Sequence, residues 1–291
     1  MQEEKRYNPF SRKDEEIRNE KFTGERALYR GRNLKVYDSV FFDGESPLKE
    51  SRDIELFGCE FQWKYPIWYS KNVHLQNSCF QEMARSGVWY TEDMVVEDCL
   101  IGAPKNFRRC KNITIKRTSL PIAQETLWMC DGVELSEVSV KGDYFGMNSE
   151  NIKVDRINLF GNYAFDGAKN LEIRNSRLMT KDCFWNCENV TVYDSHILGE
   201  YLGWNTKNLT FVNCTIESNQ GLCYIENLKM ENCRLINTSL AFEYSENINA
   251  DIRSDIDSVL NPGSGEIKVK EIKELIIEPD NCDIKRTNII C

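Results

Sequence analysis

Four carboxylates, Asp143, Asp166, Asp182 and Glu200, and one cation, Lys181, fall at recurring positions in the middle of the chain. Two carboxyl groups roughly 5 to 9.5 Å apart are what acid–base hydrolysis of a glycosidic bond requires. A cation beside a proton acceptor would instead suit β-elimination from an acidic sugar, and Lys105, Arg108 and Lys181 are the residues for that. In step with these groups run Trp68, Trp89, Arg108, Trp128, Trp185 and Trp204, flanked by Glu125, Tyr144, Tyr163 and Tyr201. Aromatic rings stack on the apolar faces of sugars, carboxylates bond sugar hydroxyls, and a large exposed aromatic surface marks an interaction site. The same residues leave two other readings open: an interface with a protein or a second copy of the chain, and stacking that serves only the fold.

A repeat must position these groups. A block of the form Asn–aliphatic–x–aliphatic–x–polar–small begins at Asn33, Asp53, Asn72, Asp93, Asn112, Gly132, Asn151, Asn170, Asn189, Asn208, Asn227 and Asn247, at spacings of 19 to 21 residues. Its apolar and polar residues alternate, as in a strand with one buried face. Asn suits the left-handed backbone of a tight corner, and its amide can bond the same residue one coil away; Asp53 and Asp93 fit that role less fully. Six residues after the corner stands a column of small residues that includes Ser39, Cys59, Cys99 and Cys233. A second lies two before it, with Ser70, Cys110, Cys130 and Cys187. Five before the corner the residues are apolar, apart from Gly146 and Gly203, so the tryptophan column four before it must face outward.

This pattern predicts an all-β chain, a right-handed parallel β-helix of about twelve coils. The hexapeptide rule of left-handed helices and the leucine-rich consensus are both absent. The expected organisation is a charged N-terminal lead or cap over 1–20, coils over 21–257, and a C-terminal closing segment over 258–291.

Composition narrows the partners. Lys and Arg number 37 against 46 Asp and Glu, a formal charge of −9, which repels nucleic acid and anionic membranes. No apolar run is long enough to span a bilayer, and the opening Met-Gln-Glu-Glu-Lys-Arg does not read as a signal peptide, so a cytoplasmic protein is expected. Twelve cysteines without a C-x-x-C pair then read as reduced packing residues. His74 and His196 lie too far apart to share a metal, and no glycine-rich phosphate loop occurs. No metal or cofactor is therefore expected. The candidate partners are an oligosaccharide or sugar conjugate and a second copy of the chain.

The blocks "YPIWYSKNVHLQNS", "KDCFWNCENVTVYDS" and "GEYLGWNTKNL", with the rest of residues 21 to 285, resemble a bacterial family catalogued as domain of unknown function 3737. The resemblance implies a pectin-lyase-like right-handed β-helix and a cytoplasmic bacterial or gut-commensal origin. It carries over no activity and no catalytic residues.

Overall fold

The computed structural model describes residues 12–291. Each coil up to Glu217 contributes a six-residue strand, such as Lys71–Gln76 or Glu188–Tyr193, then a strand of two or three residues, such as Cys79–Phe80 or His196–Leu198, and then a stretch of turns. The strands pair in parallel with those of the coils on either side, Val190 opposite Leu171 and Leu209, and Ile197 opposite Leu178 and Ile216. The chain is thus the all-β parallel β-helix that its repeat implies. Among the described residues no helix is long and apolar enough to cross a membrane.

The described residues form about 15 coils, more than the twelve the repeat displays. Part of the charged lead is the first of them: Lys13–Arg18 pairs with Arg32–Tyr37 and buries Ile17. Strands Gly265–Lys268 and Thr287–Ile290 lie within the closing segment and extend the same sheet. Here the spacing becomes irregular, 17 residues from Ile248 to Gly265 and 22 from there to Thr287, so the period no longer reveals the coils.

The corner residues adopt the conformation their types suggest. Every member from Asn33 to Asn247 has positive φ, including Gly132 at +72°, and Asp14 precedes them at +56°. Their amides form a ladder: Asn189 donates to Asn170 at 3.0 Å, and Asn208 donates to Asn189 at 2.8 Å. Where Gly132 interrupts it, Asn151 donates to neighbouring Asp131 instead. Asp53 and Asp93 are full members rather than poor fits, with φ of +57° and +56° and with amides accepted from Asn72 and Asn112.

The small column before the corner also donates. Ser70 bonds the carbonyl of Leu48 in the preceding coil at 2.7 Å, Cys130 that of Phe107 at 3.0 Å, and Cys187 that of Phe165 at 2.9 Å. Most of the column therefore carries a small residue with a donor, which Ser, Thr and Cys all supply, with Gly31, Ala168 and Ile225 as exceptions. Burial raises the thiol pKa at Cys110 and Cys187 and up to about 12 at Cys214, so these groups keep the proton they donate. All twelve cysteines are free thiols. Inside, phenylalanines stack along the axis, Phe22 on Phe41 and Phe41 on Phe61, with centroids 4.6 and 4.5 Å apart.

Candidate functional site

The turn stretch of each coil forms a face of its own. Ile67–Trp68 pairs with Val88–Trp89, and bridges carry the register on from Trp89 to Arg108 and from Arg108 to Trp128. Backbone seven before the corner is left-handed, as at Tyr144, Tyr163, Asp182 and Tyr201, and from Phe107 onward so is the position five before it, as at Phe165 and Phe184. That explains the glycines within the apolar column: Gly146 and Gly203 have φ of +80° and +77°.

The tryptophan column faces outward but is only half exposed. Trp68 and Trp89 lie parallel, with centroids 5.0 Å apart and planes 6° apart, so each covers one face of the other. The Arg108 guanidinium continues the stack, 5.1 Å from the centroid of Trp89 and 4.3 Å from that of Trp128. Indole N–H groups reach across to the next coil: Trp68 donates to the Ser86 carbonyl, Trp89 to Lys105, Trp128 to Tyr144 and Trp185 to Tyr201, at 2.6 to 2.9 Å. The ring edges remain outermost.

Ionic groups flank the rings. The Arg108 Nη2 donates to Glu125 Oε2 at 2.5 Å, and Lys105 Nζ lies 3.4 Å from the same oxygen. Lys181 pairs with Glu200 at 3.3 Å and sits 5.1 Å above the Tyr201 ring. Asp143 accepts from the Asn162 backbone N–H at 2.7 Å. Asp166 accepts from the Asn186 amide at 3.0 Å and thereby ends a second side-chain ladder, Asn205 to Asn186 to Asp166.

Asp182 departs from the outward position expected for it. It is 1% exposed, and neither carboxyl oxygen has a hydrogen-bond partner in good geometry. It occupies the column position that Tyr163 and Tyr201 fill in the adjacent coils, with a much shorter side chain. Burial raises its pKa, with Glu200 and Asp166 adding to the effect, while Lys181 and the Tyr163 hydroxyl oppose it. Asp182 in turn raises the Tyr163 pKa. Tyr163 stacks on Tyr144 at 4.8 Å and meets the Trp185 ring edge-on at 5.8 Å, and Trp204 lies 6.0 Å from Trp185.

Asp166, Lys181, Asp182, Glu200, Tyr163 and Trp185 are therefore one neighbourhood, to which Asp143, Tyr144, Tyr201 and Trp204 are adjacent. Trp68, Trp89, Arg108, Glu125 and Trp128 form a second group nearer the N-terminus. Met147 and Asp166 replace the tryptophan between the two. Among the described residues no cluster of His, Cys, Asp and Glu could hold a metal ion.

Residues 15–290 match the family described as "Protein of unknown function (DUF3737)". No curated protein matches the chain. Among solved structures, the Streptococcus pneumoniae surface adhesin PfbA is similar at 11% identity over 77% of this chain and 82% of that one, with a TM-score of 0.47. The tailspike of E. coli bacteriophage HK620, solved in complex with a pentasaccharide, is similar at 10% identity over 91% of this chain and 66% of that one, with a TM-score of 0.38. The Azotobacter vinelandii mannuronan C-5 epimerase AlgE4 A-module is similar at 10% identity over 96% and 87%, with a TM-score of 0.30. Superpositions this loose carry no function to this chain.

Proposed function

We propose, from the premise that the chain belongs to DUF3737, a family of proteins of unknown function, that its turn face binds an oligosaccharide around Asp182 and processes it by acid–base hydrolysis. One observation carries the reading: a buried carboxyl group with no hydrogen bond in good geometry, set among tyrosine and tryptophan rings. Buried polar groups are normally paired, and one left unpaired with a raised pKa is a candidate functional group. A carboxyl whose pKa burial raises holds a proton more readily and can deliver it to a glycosidic oxygen, while Asp166 or Glu200 serves as the base or nucleophile. Entry of the sugar requires side-chain movement, because neither Asp182 oxygen touches solvent at rest.

Hydrolysis is favoured over elimination by the state of the cations. Lys181 is paired with Glu200, and Lys105 and Arg108 share Glu125, so none of these three cations is set aside for a uronate carboxylate. A neutral or amino sugar therefore fits the face better than an acidic one. A reducing, cytoplasmic setting belongs to the same reading and is supported by the twelve free thiols.

The test is product analysis by chromatography after incubation with neutral, amino-sugar and uronate-containing oligosaccharides. The reading expects cleavage of a neutral or amino-sugar chain by the wild type and none by Asp182→Asn. Unsaturated products from uronates would replace hydrolysis with elimination. Equal cleavage by the variant would remove Asp182 from the chemistry.

A further inference from the structure

The short strands carry a surface feature that the sugar reading does not use. In strands Ser139–Lys141, Asn158–Phe160, Arg177–Met179, His196–Leu198 and Thr215–Glu217, the middle residue is buried and the last one points away from the core. Those last residues are in register, Lys141 opposite Phe160, then Met179, Leu198 and Glu217. Pro121 precedes Lys141 in the column, next to the paired Leu120 and Val140, and Ile236 follows Glu217, next to the paired Ile216 and Leu235. Exposure is high for apolar side chains: 55% at Phe160, 37% at Met179, 45% at Leu198 and 37% at Ile236. A groove of about 270 Å³ opens beside them, lined by Met179, Leu198, Thr215 and Ile236 among others. A contiguous apolar stripe of this kind marks an interaction surface.

The order of residues along the stripe identifies the partner. From one end to the other it reads Pro121, Lys141, Phe160, Met179, Leu198, Glu217, Ile236. Reversed about Met179, every position meets a compatible one. Pro121 faces Ile236, Lys141 faces Glu217, Phe160 faces Leu198, and Met179 faces itself. A two-fold axis across the rod produces this self-complementarity, because an isologous interface pairs each residue with its mirror position on the other copy. We propose that two chains pack antiparallel along this stripe, with the axis at Met179 and with Lys141 of each copy against Glu217 of the other.

Magnitudes agree with a modest association. Seven rungs at about 4.8 Å span about 29 Å, which gives an interface at the small end of the specific range. Among the described residues Lys141 has no ion pair, and the Glu217 carboxylate accepts only the Asn237 amide, at 3.0 Å. The neighbouring column places Arg177 against its own copy at the wet rim, where screening leaves little repulsion. The stripe borders the sugar face, since Met179 is two residues from Lys181, but it shares no residue with it.

Sedimentation equilibrium over a concentration series tests the proposal. The wild type should dimerise reversibly and more weakly as salt is raised. Lys141→Glu and Glu217→Lys should each be monomeric at concentrations where the wild type is dimeric, and the double swap should dimerise again. In a Cys291→Ser background, Met179→Cys should form a disulfide-linked dimer under mild oxidation. A wild type that stays monomeric overturns the proposal, as does a dimer that both single swaps leave unchanged. Circular dichroism of each variant separates loss of association from loss of folding.

Discussion

Trp185 donates its indole N–H to the main-chain carbonyl of Tyr201, one coil further on, at 2.8 Å. The bond ties an outer side chain to the coil that also carries Glu200, the partner of Lys181. Trp185→Phe keeps the ring and loses the bond. It should lower stability by about 0.5–1.5 kcal/mol in urea unfolding and leave the far-ultraviolet circular dichroism unchanged. No measurable change would mean that water replaces the bond.

Asp182 makes stability depend on pH in a direction opposite to that of a salt-bridged aspartate. Its folded pKa is raised, so the native state binds more protons than the unfolded one between about pH 4 and the raised value. Stability should fall as pH climbs through that window and stay level above it. Asp182→Asn removes the ionisation. Thermal scans should show the variant more stable than the wild type at pH 8 and little difference near pH 3.5. A variant less stable than the wild type at pH 8 would show that the carboxylate has a native partner.

Asn189 occupies the middle of the corner ladder, with one bond in each direction and φ of +59°. Asn189→Ala loses two hydrogen bonds and forces a methyl-bearing residue to remain left-handed. The cost should be about 2–4 kcal/mol. Asn189→Gly removes the conformational part and should recover about half, as Gly132 does naturally in its own coil. Equal losses in the two variants would assign the whole effect to the bonds.

Cys130 tests the donor column. Its thiol reaches the Phe107 carbonyl at 3.0 Å. Cys130→Ser should be tolerated within about 1 kcal/mol, and Cys130→Ala should cost more despite its similar size. A native thiol assay should find Cys291 reacting rapidly and the buried cysteines only after unfolding.

The strand blocks and the corner were legible because both obey simple spacings: Val190 and Val192 inward, Thr191 outward, Asn189 at the turn. Coils with irregular spacing were not. Nothing in "LNPGSGEIKVK" betrays that Gly265–Lys268 stacks on Ile248–Asp251. The burial of Asp182 was hidden because its column holds tyrosines in the adjacent coils and polar residues such as Lys105, Glu125 and Gln220 in others, and a pattern assigns direction but not the depth of a short side chain. The thiol donors were hidden by their small size, which accounts for the column equally well. The Phe160–Met179–Leu198 stripe left a readable signal, apolar residues every 19 positions on the outward side of the short strands.

The most direct test of the sugar-binding claim is titration of the protein with neutral and amino-sugar oligosaccharides, followed by tryptophan fluorescence. The account predicts saturable change in emission, lost in Trp185→Ala and retained in Trp68→Phe, which lies in the other aromatic group. An emission that no sugar alters, or a response abolished by Trp68→Phe alone, would contradict binding around Asp182.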